Sequence, residues 1–389
     1  MGACKEQNNK TKLENDNNRD FKSRVIKPDN EGSSMDKSAL INTACSDLLS
    51  YGLWGTKTKI KNQIKKYIFR KPTEVEDLIF WPTGFLAAGL WSSRQSADSS
   101  LRQKIDISLS DYFTRWDKKR GPISYLDDLL AGETFLAVYE EYDRSGTDNG
   151  IIGSRNAEQY RKAIERLAEY ALLYPGDAMG SLPYRANQKN DHIYVDAIGM
   201  ICPFLYEYGN FFHNNKHMEL SVKQIVNFLA YGMDGSTGLP YHGYAMHTTY
   251  KYGIVGWGRA VGWLLRGMAG CMVTEYGLER LKDSYIALVD TALSYQRKDG
   301  YFSWQLQAAD GPADTSATGM ICAAVKRGID LGILADLKYD SALQAGTNAI
   351  EKSTRAGVVY DCSGECEGFG RYPQTYGAYP WALGPALML

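Results

Sequence analysis

No run of residues in this chain is both long and apolar enough to span a bilayer, which takes about 20 predominantly apolar residues, so no transmembrane segment is expected. Neither sign of charge is in surplus. The 389 residues carry 44 Lys and Arg against 45 Asp and Glu, a net charge of −1, and the bases are scattered along the sequence. A clustered basic surface, the footprint of a nucleic-acid binder, is missing. Cysteines are few and odd in number, seven in all, and most lie inside apolar runs (Cys202, Cys271, Cys322). They form no disulfide framework. Cys362 and Cys366 are the only close pair, either a local disulfide or two plain thiols. No His or second Cys pair stands near them at zinc-ligand spacing. His213 and His217 have helical spacing, but FFHNNKH reads as a polar loop without nearby carboxylates. Neither a metal site nor a cofactor is expected.

Aromatic residues are plentiful: 27 Tyr, 8 Trp and 12 Phe. Tyr and Trp offer a flat apolar face with a polar handle, which suits sugar rings but also fills ordinary cores. With 44% apolar residues the chain can bury a large core. Residues 1–35 read as a disordered polar tail on composition. Their start, Met1-Gly2-Ala3-Cys4, is similar to the end of a bacterial lipoprotein signal, which implies a periplasmic or outer-membrane lipoprotein lipidated at Cys4. The apolar stretch expected before such a Cys is absent. Either a signal has been trimmed or the match is accidental and the protein is cytoplasmic.

From residue 36 to 389 two kinds of helical segment alternate. One is amphipathic, with apolar residues at three- and four-residue spacing: Leu101–Trp116, Ala157–Leu173, Met218–Met233, Leu278–Gln296 and Ser341–Thr354. The other is apolar nearly all round and rich in Gly and Ala. Such segments begin at Trp81, Tyr125, Tyr194, Trp257, Asp314 and Tyr379. A helix apolar on every side must be covered by other helices. The alternation predicts a string of helical hairpins in one domain. About six of them closing into a ring give an all-α double-layered (α/α)6 barrel, with an open solenoid as the competing architecture. In the barrel, the polar and aromatic starts of the inner helices converge at one end: Trp81, Asp127/Asp128, Asp196, Trp257/Arg259, Asp314 and Trp381. Helix capping accounts for Asp314 in DTSA. It accounts less well for Asp196, which follows Ile193, Tyr194 and Val195.

These segments carry a family resemblance. IYVDAIGMICPFL resembles the motif around the catalytic Asp of unsaturated glucuronyl and rhamnogalacturonyl hydrolases, glycoside hydrolase families 88 and 105. YLDDLLAGETFLAVYEEYD, WGRAVGWLLRGM, DGYFSWQL with DTSATGMI, and the closing Leu-Gly-Pro-Ala-Leu are similar to further blocks, in order, from Trp81 to Leu389. Two departures stand out. Val261 occupies a position where the family often has Asn, and CSGECEGFGRYPQTYGAYPW differs from the family pattern.

The resemblance implies a barrel enzyme whose substrate is an oligosaccharide left by a polysaccharide lyase. Its terminal uronic acid carries a C4=C5 double bond, and hydrating that vinyl ether needs a proton at C4 and water at C5. One residue can be acid first and base second. By resemblance Asp196 is that residue, and Asp127 is its partner, since its distance to Gly132 matches. Asp128 lies about a quarter turn away. His242 aligns with a His that contacts substrate. Arg259 would meet the sugar's polar groups or carboxylate, unless it makes a structural ion pair with an Asp. Trp263 stacks on the ring or simply packs in the core; Trp81, Trp257 and Trp304 are further candidates of that kind. Three alternatives stay open. One is an inverting glycosidase using Asp127 and Asp196. Another is a lyase or epimerase, with His242 and Tyr241 or Tyr244 available as a lyase base. The third is a sugar-binding protein that turns nothing over.

Overall fold

The computed structural model describes residues 36–50, 80–120, 123–146, 151, 156–185, 192–246 and 248–389. The expected N-terminal tail and Cys4 lie outside these residues. Among the described residues twelve α-helices dominate: α1 (Lys37–Ser50), α2 (Trp81–Arg94), α3 (Ser99–Arg120), α4 (Leu130–Ser145), α5 (Ala157–Leu173), α6 (Val195–Phe211), α7 (Asn215–Tyr231), α8 (Gly258–Gly270), α9 (Glu275–Leu293), α10 (Thr315–Asp330), α11 (Leu337–Lys352) and α12 (Pro380–Ala386). A 3₁₀ turn, Leu126–Leu129, leads into α4.

The even-numbered helices form the inner layer. Each touches the next, α2 to α4, α6, α8, α10 and α12, and α12 packs back against α2, so the ring is closed. In α6 the residues from Ala197 to Tyr206 are buried without a break, which no helix with one wet face could show. The odd-numbered helices form the outer layer. In α5 the buried residues are Tyr160, Ala163, Ile164, Leu167, Ala168 and Ala171, a single stripe at three- and four-residue intervals. The molecule is therefore an all-α (α/α)6 barrel. The sixth outer position is taken by α1, which packs against α2, α3 and α12. Its buried face, Leu40, Ile41, Ala44, Cys45 and Leu48, thus joins the first helix to the last.

Glycine lets the inner helices approach closely. A Cβ at Gly89 on α2 would collide with the Gly384 carbonyl oxygen on α12, and one at Gly199 on α6 would sit 2.6 Å from the Trp263 carbonyl oxygen on α8. Helix starts are set by side chains. Asp98, Asp314 and Asp336 each accept backbone N–H bonds at the first turns of α3, α10 and α11. The segment read as a polar loop around His217 is partly helical instead. Asn215 opens α7, and His217 is buried with its ring 4.6 Å from that of Tyr208.

Short strands decorate the end where the inner helices start. β1 (His192–Tyr194) pairs antiparallel with β2 (Gly243–Ala245), which pairs with β3 (Lys251–Tyr252). β4 (Thr354–Arg355) pairs with β5 (Val358–Val359), and β6 (Cys362–Ser363) with β7 (Tyr376–Gly377). Cys362 and Cys366 are both free thiols, so the local disulfide is not formed.

Candidate active site

Because inner and outer helices alternate, the inner ones all point the same way, and their N-termini share one end. Asp196 lies in the first turn of α6. It does not cap the helix. The β1–β2 pairing sets Tyr194 opposite Gly243, and the Val195 N–H donates to the His242 carbonyl at 3.0 Å. This brings His242 Nε2 to 3.0 Å from Asp196 Oδ2. The His242 side chain is 1% exposed and that of Asp196 13%, so Asp196 lies between the imidazole and the solvent-accessible space. Among the described residues no hydrogen bond reaches Asp196 Oδ1. His242 was expected at the substrate; its ring nitrogens instead face Asp196 and Tyr372 Oη, the latter 2.9 Å from Nδ1.

Asp127 is 2% exposed at the start of the α4 segment, and its Oδ2 accepts hydrogen bonds from Tyr184 Oη and Arg185 Nη2, both at 3.0 Å. Asp128 turns away. Its carboxylate accepts the N–H groups of Ser124 and Tyr125 and lies 3.4 Å from Arg120 Nε on outer helix α3. Burial, and then the Asp127 charge, push Asp128 above the usual carboxylate range. The Tyr184 phenol is likewise raised well above its ordinary value by burial and by Asp127, with a smaller contribution from Asp196. The two acids, Asp127 and Asp196, therefore belong to one electrostatic neighbourhood. Tyr184 and Arg185 were not anticipated. They sit in the irregular LPYR stretch, which carries no periodicity or motif to mark them.

Arg259 is buried at the start of α8 with its fork committed. Nη1 donates to the Ser363 carbonyl at 3.0 Å and to Ser363 Oγ at 2.5 Å, Nη2 donates to the Gly364 carbonyl at 2.7 Å, and Asp314 Oδ2 lies 3.9 Å away. The structural ion-pair alternative describes this environment. The guanidinium also stacks over the Trp257 and Trp381 rings, at 4.7 and 5.9 Å.

Trp263 is 1% exposed. Its ring meets Phe85 at 5.0 Å and Trp81 at 5.9 Å, so it belongs to the core and presents no face to a sugar. Trp81 and Trp257 are buried too; Trp257 packs at 4.6 Å against the His242 ring. Trp304 is half-buried, 6.1 Å from the Tyr372 ring, and keeps part of its surface open.

The segment whose sequence departs from the family pattern forms the remaining wall. Cys366 Sγ is 4.0 Å from His242 Nε2, and the Phe369 ring stacks on Tyr194 at 4.1 Å. The Tyr252 ring follows at 5.6 Å. Tyr372 supplies the hydroxyl behind His242. Among the described residues, no group of three or more His, Cys, Asp or Glu is arranged to hold a metal ion.

The model of a protein family described as Glycosyl Hydrolase Family 88 matches residues 58–389. Solved structures with similar architecture include a possible member of the GH105 family from Klebsiella pneumoniae subsp. pneumoniae MGH 78578, with a TM-score of 0.73, 16% identity, and coverage of 93% of this chain and 94% of that one. An unsaturated glucuronyl hydrolase from Bacillus sp. GL1, responsible for glycosaminoglycan degradation, aligns with a TM-score of 0.66 at 15% identity over 90% and 93% of the chains. An unsaturated glucuronyl hydrolase specific for heparin aligns with a TM-score of 0.65 at 14% identity over 90% and 95%. At such identities the likeness is one of fold. No curated protein matches in sequence.

Proposed function

The chain belongs to glycosyl hydrolase family 88, and from that premise we propose that it releases the terminal Δ4,5-unsaturated uronic acid from oligosaccharides made by polysaccharide lyases. The observation that carries the reading is the state of Asp196. Its side chain is 13% exposed at the end where Asp127, Asp128 and Asp314 are buried, with one oxygen tied to His242 and, among the described residues, no hydrogen bond to the other.

Protonated Asp196 gives its proton to C4 of the vinyl ether while the C4=C5 electron pair forms the new C–H bond. Positive charge develops at C5 and is shared with the ring oxygen. Water then adds at C5, and the Asp196 carboxylate takes up the water's proton. The hemiketal opens, and the anomeric oxygen leaves with the rest of the chain. One carboxyl thus returns to its starting state. Asp127, buried and bonded to Arg185 and Tyr184, suits a positioning role. Arg185, 18% exposed, is better placed than Arg259 to meet the uronate carboxylate. Trp304 offers the open aromatic face.

The alternatives have less support. An inverting mechanism needs a second carboxylate open to water, and Asp127 is not. Of the lyase bases considered, His242 and Tyr244 are fully buried, and only Tyr241 keeps part of its surface open. Cys4, at the head of a polar tail, suits a lipid anchor that would hold the enzyme where lyase products arise. Fatty-acid labelling lost in Cys4→Ser tests that point.

The decisive assay follows the absorbance of the conjugated uronate in lyase digests of rhamnogalacturonan, ulvan and glycosaminoglycans. Loss of absorbance with the wild type, and its reduction by about 1,000-fold or more in a folded Asp196→Asn, is expected. Full activity in Asp196→Asn, or none in any digest with the wild type, would remove the proposal.

A further inference from the structure

Tyr372, His242 and Asp196 lie in a line, with contacts of 2.9 and 3.0 Å, and the donors in that line can be counted. The Ile254 backbone N–H donates to Tyr372 Oη at 3.3 Å. A peptide N–H can only donate, so it occupies a lone pair of the phenol oxygen and leaves the phenol proton for another neighbour. His242 Nδ1 is the acceptor within reach. A neutral imidazole whose Nδ1 accepts carries its proton on Nε2. That N–H then points at Asp196 Oδ2. The other tautomer would bring two N–H donors to the phenol oxygen and leave the phenol proton without an acceptor among the described residues. With the carboxylate ionised, it would also set a bare Nε2 lone pair against Oδ2, leaving the Cys366 thiol, 4.0 Å away, as the donor within reach among the described residues.

We infer that Tyr372 is a positioning residue that fixes His242 as the Nε2–H tautomer, reserving Asp196 Oδ2 as a permanent acceptor and confining the catalytic proton to Oδ1. The inference rests on the reading of Asp196 as acid and base. It adds a division of labour between its two oxygens: Oδ1 delivers and recovers the proton while Oδ2 stays fixed. It also explains why a buried His can stand beside an acid that must keep its proton. An imidazolium at 3.0 Å would favour the carboxylate and deplete the protonated form from which the reaction starts. Protonating Nδ1 would force the Tyr372 hydroxyl to give up its acceptor. The titratable groups around this pair are Tyr194, Tyr184, Tyr372 and Cys366, with Asp127 and Arg185 next to Tyr184, and Arg259 and Glu365 near Cys366. Burial raises the three phenols and the thiol above their ordinary values, so those four stay neutral through the working range.

The test is a ¹⁵N–¹H spectrum of the imidazoles in the full chain. The sequence has five His, and the His242 signals are those lost in His242→Gln. The wild type should show His242 protonated at Nε2 and bare at Nδ1, and Tyr372→Phe should move it toward Nδ1–H. Kinetics give a second readout. In Tyr372→Phe, kcat should fall about tenfold, the equivalent of one hydrogen bond, with KM little changed and the acid limb of the kcat–pH profile displaced. A Gln at position 242 presents an N–H to Asp196 whatever Tyr372 does, so adding Tyr372→Phe to His242→Gln should cost nothing more. A wild-type His242 protonated at Nδ1, or an unchanged tautomer in Tyr372→Phe, overturns the inference. The wild-type spectrum decides even if the Phe variant fails to fold. The spectra are also independent of turnover, so absent uronyl hydrolysis would defeat the proposed reaction without touching the tautomer.

Discussion

Arg185 meets Asp127 in an ion pair, Nη2 to Oδ2 at 3.0 Å, in which the carboxylate is almost wholly buried and the guanidinium still reaches the surface. The pair therefore has an anchored end and an available end. Arg185→Ala leaves a buried charge uncompensated and should cost about 3 kcal/mol in urea unfolding. It should also raise KM for the unsaturated substrate. Adding Asp127→Asn should restore most of the stability but not KM. Recovery of KM as well would mean that Arg185 serves only Asp127.

Arg259 behaves differently because none of its function need be at the sugar. Arg259→Met takes the cation from beside buried Asp314 and the donor from the Gly364 carbonyl, and should destabilise the protein by about 3 kcal/mol. Lys at this position supplies one point charge where a fork is used, so it should rescue only part of the loss. Denaturant midpoints of the three proteins check the order.

The two tryptophan environments predict opposite outcomes. Trp263→Ala opens a cavity in the inner ring and should cost about 3–5 kcal/mol. Trp304→Ala should leave the melting temperature nearly unchanged and raise KM. Thermal scans alongside substrate titrations separate the two.

At the opposite end of the barrel, Glu140 and Glu207 line a cavity of about 410 Å³. Burial, and next the Glu207 charge, raise the Glu140 carboxyl to about 7. A raised acid binds its proton more tightly in the folded chain than in the unfolded one. Its contribution to stability is thus full below the unfolded value of 4.5 and is lost as pH climbs through about 7. Unfolding midpoints of the wild type should fall between pH 5 and 8. Glu140→Gln should flatten that slope and be the more stable protein at pH 8.

Periodicity made the scaffold legible. The Ala157–Leu173 stripe coincides with α5, since an outer helix writes its wet and dry faces into the sequence. The inner segments were legible through their lack of any wet face. Asp196 stood out because its neighbours offered no capping chemistry. What escaped were contacts that only tertiary structure makes. Arg185 and Tyr372 sit on irregular segments, 58 residues from Asp127 and 130 from His242, and nothing local distinguishes them. The burial of His242, Arg259 and Trp263 was equally hidden, because a motif names a residue without saying which side of the wall it faces.

The packing of α1 on α12 bears on how the barrel is made in the cell. In an open array of helical pairs, each pair can settle on the one before it as synthesis proceeds. Here the inner helix that completes the ring, α12, is the last described element to leave the ribosome, and it is the neighbour that α2 and α10 have been waiting for. Until then both helices keep an apolar flank exposed. Ser363, which binds Arg259 and accepts from Trp381 Nε1 at 3.0 Å, has no anchor on α12. A nascent chain lacking these turns is a gapped ring that needs shielding from its neighbours, and the mouth of the barrel takes shape only once α12 has emerged.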